Sequence, residues 1–150
     1  MYHALVARLA RRNFERVNDR DVEGLLRTCA PDVHHRFGGD HALGGERHDK
    51  EALRRWFERL GRLCPTLRLT VRDTWVTGLP HDTVVVIRWT ATQQMPDGSP
   101  SLNHGVHVVR MRWGRVVEID ANEDSQLVAA ALRVMADHGV EEALAAPVTS

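Results

Sequence analysis

From Leu67 onward apolar residues recur at alternate positions: Leu67, Leu69, Val71 and Trp75 alternate with Arg68, Thr70, Arg72 and Thr74. A period of two is that of a strand with one buried face, and it fixes register, because a slip of one residue would turn the apolar set outward. Further strands are predicted at 83–94, 102–113 and 115–122, linked by Pro96-Asp97-Gly98 and by Trp113-Gly114, both turn-type sequences. Hairpins in succession predict an antiparallel meander.

The period ahead of this sheet is helical. Residues 3–18 place Leu5, Val6, Leu9, Ala10, Phe14 and Val17 at helical spacing, and Asn18-Asp19-Arg20-Asp21 ends the pattern. Asp21 caps a second helix predicted over Val22 to Cys29, which Pro31 stops. A short strand, Val33 to Phe37, runs into a loop holding Gly38, Gly39, Gly44 and Gly45. Asp49 caps a third helix with Leu53, Trp56, Phe57 and Leu60 on one face, ending near Gly61 and Pro65. Asp124 or Ser125 caps a closing helix carrying Leu127, Val128, Ala131, Leu132 and Met135, which ends near Gly139. Residues 140–150 read as a tail, frayed from Ala146 to Ser150.

The expected architecture is one α+β domain over residues 1–150, its core at about 4–135. Twenty basic residues balance 20 acidic ones, so net charge favours neither nucleic acid nor an anionic membrane as partner. The first ten residues lack the pattern of a signal peptide and no apolar run could span a bilayer, so a soluble, cytoplasmic protein is expected. Cys29 and Cys64 lack paired metal spacing and read as small buried fillers.

The central strands are apolar on both faces: Val84 and Val86 oppose Val85, Ile87 and Trp89, and Val106 and Val108 oppose Val109 and Met111. Helices cover one face only. A second copy of the chain is the simplest cover for the other, which predicts a homodimer through the sheet.

This order of elements, with Asn18-Asp19-Arg20-Asp21-Val22, Ala30-Pro31-Asp32-Val33, Val86-Ile87-Arg88-Trp89-Thr90 and Gly114-Arg115-Val116-Val117-Glu118, resembles the SnoaL-like group of the nuclear-transport-factor-2-like superfamily. The resemblance spans about residues 4–135. It implies a cone: a curved antiparallel sheet wrapped around N-terminal helices, with a C-terminal helix and a pocket between. The superfamily includes polyketide cyclases, ketosteroid isomerases, epoxide hydrolases and non-enzymatic binders, so chemistry must be argued from the pocket.

The resemblance turns His35 and Phe37 inward, and strand alternation turns His34 the other way. Phe37 stands where the isomerases carry an aspartate base. His35 reads either as a core histidine or as a working one. His107 falls where isomerases carry an oxyanion-stabilising acid and cyclases a pocket histidine, and it is the leading candidate for proton transfer. His104 and His107, three apart on a strand, face opposite ways, which argues against a metal pair. No metal and no cofactor are expected.

The cyclase base position is Ala121. Asp120 and Asn122 face outward unless a bulge intervenes, while Glu123 has the inward phase. Glu123 reads either as a carboxylate at the pocket mouth or as a first-turn acid of the closing helix. Arg88 matches a pocket arginine of the epoxide hydrolases, though their partner aspartate is Thr90 here. Periodicity offers the opposite phase, with Arg88 outside. Asn13 stands where isomerases carry an oxyanion tyrosine, and Trp56 reads as an apolar wall or as core packing.

The expected function is therefore cofactor-free isomerisation or cyclisation of a small apolar carbonyl compound. His107 or His35 moves the proton, and Arg88 or Asn13 steadies the enolate oxygen. The alternative is a ligand-binding or dimerisation module of the same fold, consistent with the missing acids at Phe37, Thr90 and Ala121.

Overall fold

In the computed structural model, which describes residues 1–150, α1 (Tyr2–Asn18) lies along the inner face of a coiled six-stranded sheet. Val6 and Phe14 are its buried anchors. Asn18 pins its end by a two-way bond to the Leu69 backbone, accepting from N at 2.7 Å and donating to O at 2.9 Å. Asp21 accepts from the Gly24 amide and starts α2 (Val22–Leu26).

The strands are β1 (Cys29–Phe37), β2 (Gly45–Arg47), β3 (Arg68–Leu79), β4 (Asp82–Gln94), β5 (Pro100–Arg112) and β6 (Arg115–Glu123). Their order across the sheet is β2-β1-β6-β5-β4-β3. Between β2 and β3 runs α3 (Lys50–Leu63), capped by the Asp49 carboxylate on the Ala52 amide. After β6 comes α4 (Ser125–Asp137), capped by Asp124 on the Gln126 and Leu127 amides. The architecture is the α+β cone.

Four features depart from expectation. The sheet is mixed, because β1 pairs with β6 in parallel while every other pair is antiparallel. The second helix stops at Leu26, three residues early, because Cys29 already pairs with Val116. Pro31 then falls inside β1, where pairing with β6 lapses between Cys29 and His34, so no ladder bond is lost for want of its N–H.

Third, the Gly loop contains β2, three residues too short to show alternation. Fourth, the tail is packed. After a 3-10 turn at Glu141–Leu144, Ala143 and Val148 are buried. Arg59 donates to the Ala146 carbonyl, Arg47 to that of Val148 and Arg55 to that of Thr149. Chain ends fray unless tied down, and here buried side chains and arginines tie it.

Two apolar clusters result. One gathers α1, α2 and the inner faces of β3 to β5; the other gathers Leu43, Trp56, Leu63, Leu132, Met135 and the tail. A cavity lies between them. The outer face of the sheet carries Trp75, half exposed, and Val108, 37 % exposed, beside Val84, Val86 and Val106.

Candidate active site

The cavity has a volume of about 410 Å³, within the usual range for small-molecule sites, and its lining is mostly apolar. His35, Phe37, Trp56, His107, Glu123 and Asn13 all border it.

His107 stands mid-strand on β5, opposite Ile87 on one side and Ala121 on the other. The Trp89 indole N–H donates to its Nδ1 at 2.7 Å. An indole nitrogen is a donor only, so Nδ1 accepts and the neutral ring carries its proton on Nε2. Phe14 meets the ring edge-on at 5.2 Å. Burial pushes His107 down to about 4, with Asp120 acting weakly the other way. At neutral pH it is an uncharged hydrogen-bond donor.

Gly105 makes that contact possible. A Cβ there would stand 2.6 Å from Trp89 Cζ2 and 3.0 Å from the Glu123 Cα, and it would also overlap the Asn122 carbonyl. A lone glycine inside an apolar strand marks such close approach.

Glu123 ends β6 opposite Gly105, on the same face as His107 and diagonal to it. Neither carboxylate oxygen has a hydrogen-bond partner. Burial pushes its carboxyl up to about 7, against smaller opposing effects of nearby backbone amides and Arg36. Asp124, not Glu123, caps α4, so the reading of Glu123 as a helix-end acid does not hold.

His35 is fully enclosed, and its ring meets Trp56 edge-on at 4.5 Å. Its Nδ1 accepts from Arg47 Nη1 at 3.0 Å, which again leaves the proton on Nε2. Burial holds it well below the ordinary histidine range, and the Arg47 charge adds to that. Arg47 itself is completely buried, and its remaining bonds go to the carbonyls of Gly44 and Val148. Desolvation lowers it to about 10, still protonated at neutral pH.

Trp56 and Phe37 form one wall, 5.2 Å apart, with the Trp56 N–H satisfied by the Leu43 carbonyl. The Asn13 amide is engaged on both sides, donating to Thr28 and accepting from Arg16.

Three expected residues lie elsewhere. Arg88 points to the outer face and pairs with Asp73, because Val85, Ile87 and Trp89 take the inward phase of β4. Thr90 shares that outer phase and accepts from Arg72 at 3.0 Å. Ala121 is wholly buried and does not border the cavity. Trp89, Gly105 and Arg47 were not expected at the site. For Gly105 the signal was present in its isolation within a strand.

A family model for the SnoaL-like domain matches residues 10–119. The chain belongs to the SnoaL-like family. Among solved structures, TerC co-crystallised with polyporic acid is similar at 22 % identity and a TM-score of 0.69, covering 85 % of this chain and 95 % of that one. An NTF2-like protein of unknown function from Burkholderia pseudomallei gives 23 % and 0.68, over 81 % and 92 %. A candidate polyketide cyclase from Xanthomonas campestris pv. campestris gives 18 % and 0.61, over 82 % and 93 %. These likenesses establish the nuclear-transport-factor-2-like fold for this SnoaL-like chain. No curated protein matches it. No helix is long and apolar enough to cross a membrane.

Proposed function

We propose that this SnoaL-like protein is a cofactor-free isomerase or cyclase of a small, largely apolar carbonyl compound. One observation carries the reading: a carboxylate without a hydrogen-bond partner, raised to about 7, shares a cavity wall with an imidazole held neutral. Acid-base groups work best with a pKa near the operating pH, which suits Glu123 as the base and His107 as the donor.

Glu123 takes a proton from the carbon beside the substrate carbonyl. The C–H electron pair forms a carbon–carbon double bond and the carbonyl π pair moves to oxygen. The Nε2–H of His107 donates to that enolate oxygen. Glu123 then returns the proton at another carbon, or the enolate carbon attacks a second carbonyl within the same molecule, whose π pair moves to its oxygen and takes the proton back from Glu123. His35 stands as a second neutral donor, Asn13 flanks the site and Arg88 takes no part. The polyporic acid co-crystallised with TerC supports a small organic ligand.

The test is deuterium exchange beside the carbonyl in a panel of cyclic enones and β-diketones, followed by NMR in D2O. His107→Ala and Glu123→Gln should each slow exchange by about 10²-fold or more. An unchanged rate in His107→Ala would sink the assignment.

A binding module is the second reading, favoured by Phe37, Thr90 and Ala121 standing where relatives of this fold carry acids. Native mass spectrometry separates the two: a retained molecule that stays unchanged on incubation supports binding, and turnover supports an enzyme. A cytoplasmic location and a homodimer through the outer sheet face belong to the same proposal. Light scattering at micromolar concentration should give twice the chain mass, and Val108→Glu should halve it.

A further inference from the structure

The edge of the sheet carries a second cluster, on the face opposite the cavity. In the β1–β2 pair, His35 faces Arg47 and Arg36 faces Glu46. Strand alternation therefore sends His35 and Arg47 inward, and His34, Glu46 and His48 outward together. Glu46 Oε2 lies 3.1 Å from His34 Nε2 and 3.8 Å from His48 Nε2. The two imidazoles stack 4.5 Å apart at an interplanar angle of 10°. All three ligand atoms lie within 4.8 Å of one another.

We propose that His34, Glu46 and His48 bind one divalent transition-metal ion of borderline softness, with Zn²⁺ as the type case. Zinc takes imidazole nitrogen and carboxylate oxygen at about 2.0–2.2 Å, which in a tetrahedral shell sets neighbouring donors roughly 3.3–3.5 Å apart. The two distances from Glu46, 3.1 and 3.8 Å, bracket that value, and the stacked rings must rotate to aim both nitrogens at one ion. Two nitrogens and one oxygen select against Mg²⁺ and Ca²⁺, which require oxygen shells. Arg36, the cation opposite Glu46 on this face, is turned toward β6, where it bonds Asp120 and Asn122. All three ligands are partly solvent-exposed, so water completes the shell and the ion can enter directly.

The position gives the ion a structural consequence. It would join β1 to residues 46–48, whose inward member Arg47 holds both His35 and the Val148 carbonyl. The His48 amide also donates to Ser150 Oγ. A metal on the outer face would therefore stiffen the edge that carries one wall of the cavity and the docked tail.

The test uses the full chain without a histidine tag, titrated with ZnCl₂ by calorimetry. One ion per chain with a micromolar Kd is expected, and MgCl₂ should give no heat. His34→Gln, Glu46→Gln and His48→Gln should each weaken binding by about tenfold or more. Circular dichroism spectra should be unchanged, since the side chains are at the surface. In thermal melts, zinc at about a hundredfold excess over Kd should raise Tm by roughly 5–10 °C in wild type alone. Absence of binding in wild type overturns the proposal. So does binding that survives in all three variants, which would assign the ion to other histidines.

Discussion

The indole N–H of Trp89 holds Nδ1 of His107 at 2.7 Å across neighbouring strands, so a tryptophan decides which nitrogen of the cavity histidine carries the proton. Trp89→Phe removes the only donor to that nitrogen while keeping an aromatic wall. Nitrogen-15 NMR of His107 should then change from a single Nε2–H tautomer to a mixture. A spectrum identical to wild type would show that Trp89 does not set the tautomer.

Gly105→Ala places a methyl group against the Trp89 ring and the β6 backbone. Overpacking of this kind costs about 1–3 kcal/mol, and the neighbour here is backbone that cannot turn away. Urea unfolding should show that loss, and tryptophan fluorescence should report the displaced ring. A variant as stable as wild type would mean the strands part without cost.

Glu123 and His107 tilt stability in opposite directions with pH. The Glu123 carboxyl, raised from 4.5 to about 7, holds its proton more tightly when folded. Its contribution is therefore favourable at low pH and is lost as pH rises from about 4.5 to 7. Glu123→Gln should stabilise the chain by about 1–2 kcal/mol at pH 8, allowing for partial solvent contact, and hardly at all at pH 4. His107, lowered from 6.5 to about 4, gives stability that is complete above 6.5 and lost as pH falls toward 4. Paired urea titrations across pH 4–8 check both slopes, and flat difference curves would contradict them.

Removing residues 146–150 strips the Val148 carbonyl from Arg47 and the Val148 side chain from the core. Unmaking a buried bond to a charged group and exposing a valine should together cost about 2–5 kcal/mol. A urea midpoint unchanged by the deletion would show that the tail only rests on the surface.

Long, strongly periodic segments were legible in the sequence. The helical period of α1, the caps Asp21, Asp49 and Asp124, and the strands of the β3 to β6 meander follow from spacing and from side chains that satisfy free amides. A register shift between Val71 and Asp73, however, turns Trp75 to the outer face against the period read from Leu67, and Leu5 and Leu9 of the apolar set of α1 stay exposed. The short and the non-local were not. With only three residues, β2 has no period, and without β2 nothing places His34 near Glu46 and His48. Parallel pairing of β1 with β6 has no turn sequence to announce it. Arg88 was a case of two competing signals: family position placed it inside, periodicity outside, and packing of Val85, Ile87 and Trp89 decided for periodicity. Arg47 was unreadable because its counterparts are carbonyls, one of them in a tail whose composition suggested fraying.

The parallel joint between β1 and β6 also has a bearing on how the molecule comes into being. Arg36 and Asp120 meet across it although 84 positions separate them along the chain. Closing so long a loop carries a large entropic cost before any contact rewards it, and it slows folding. On the ribosome, His35 emerges early and must wait for β6 before its wall is complete. His35 and His107 come to line one cavity only once that joint has closed.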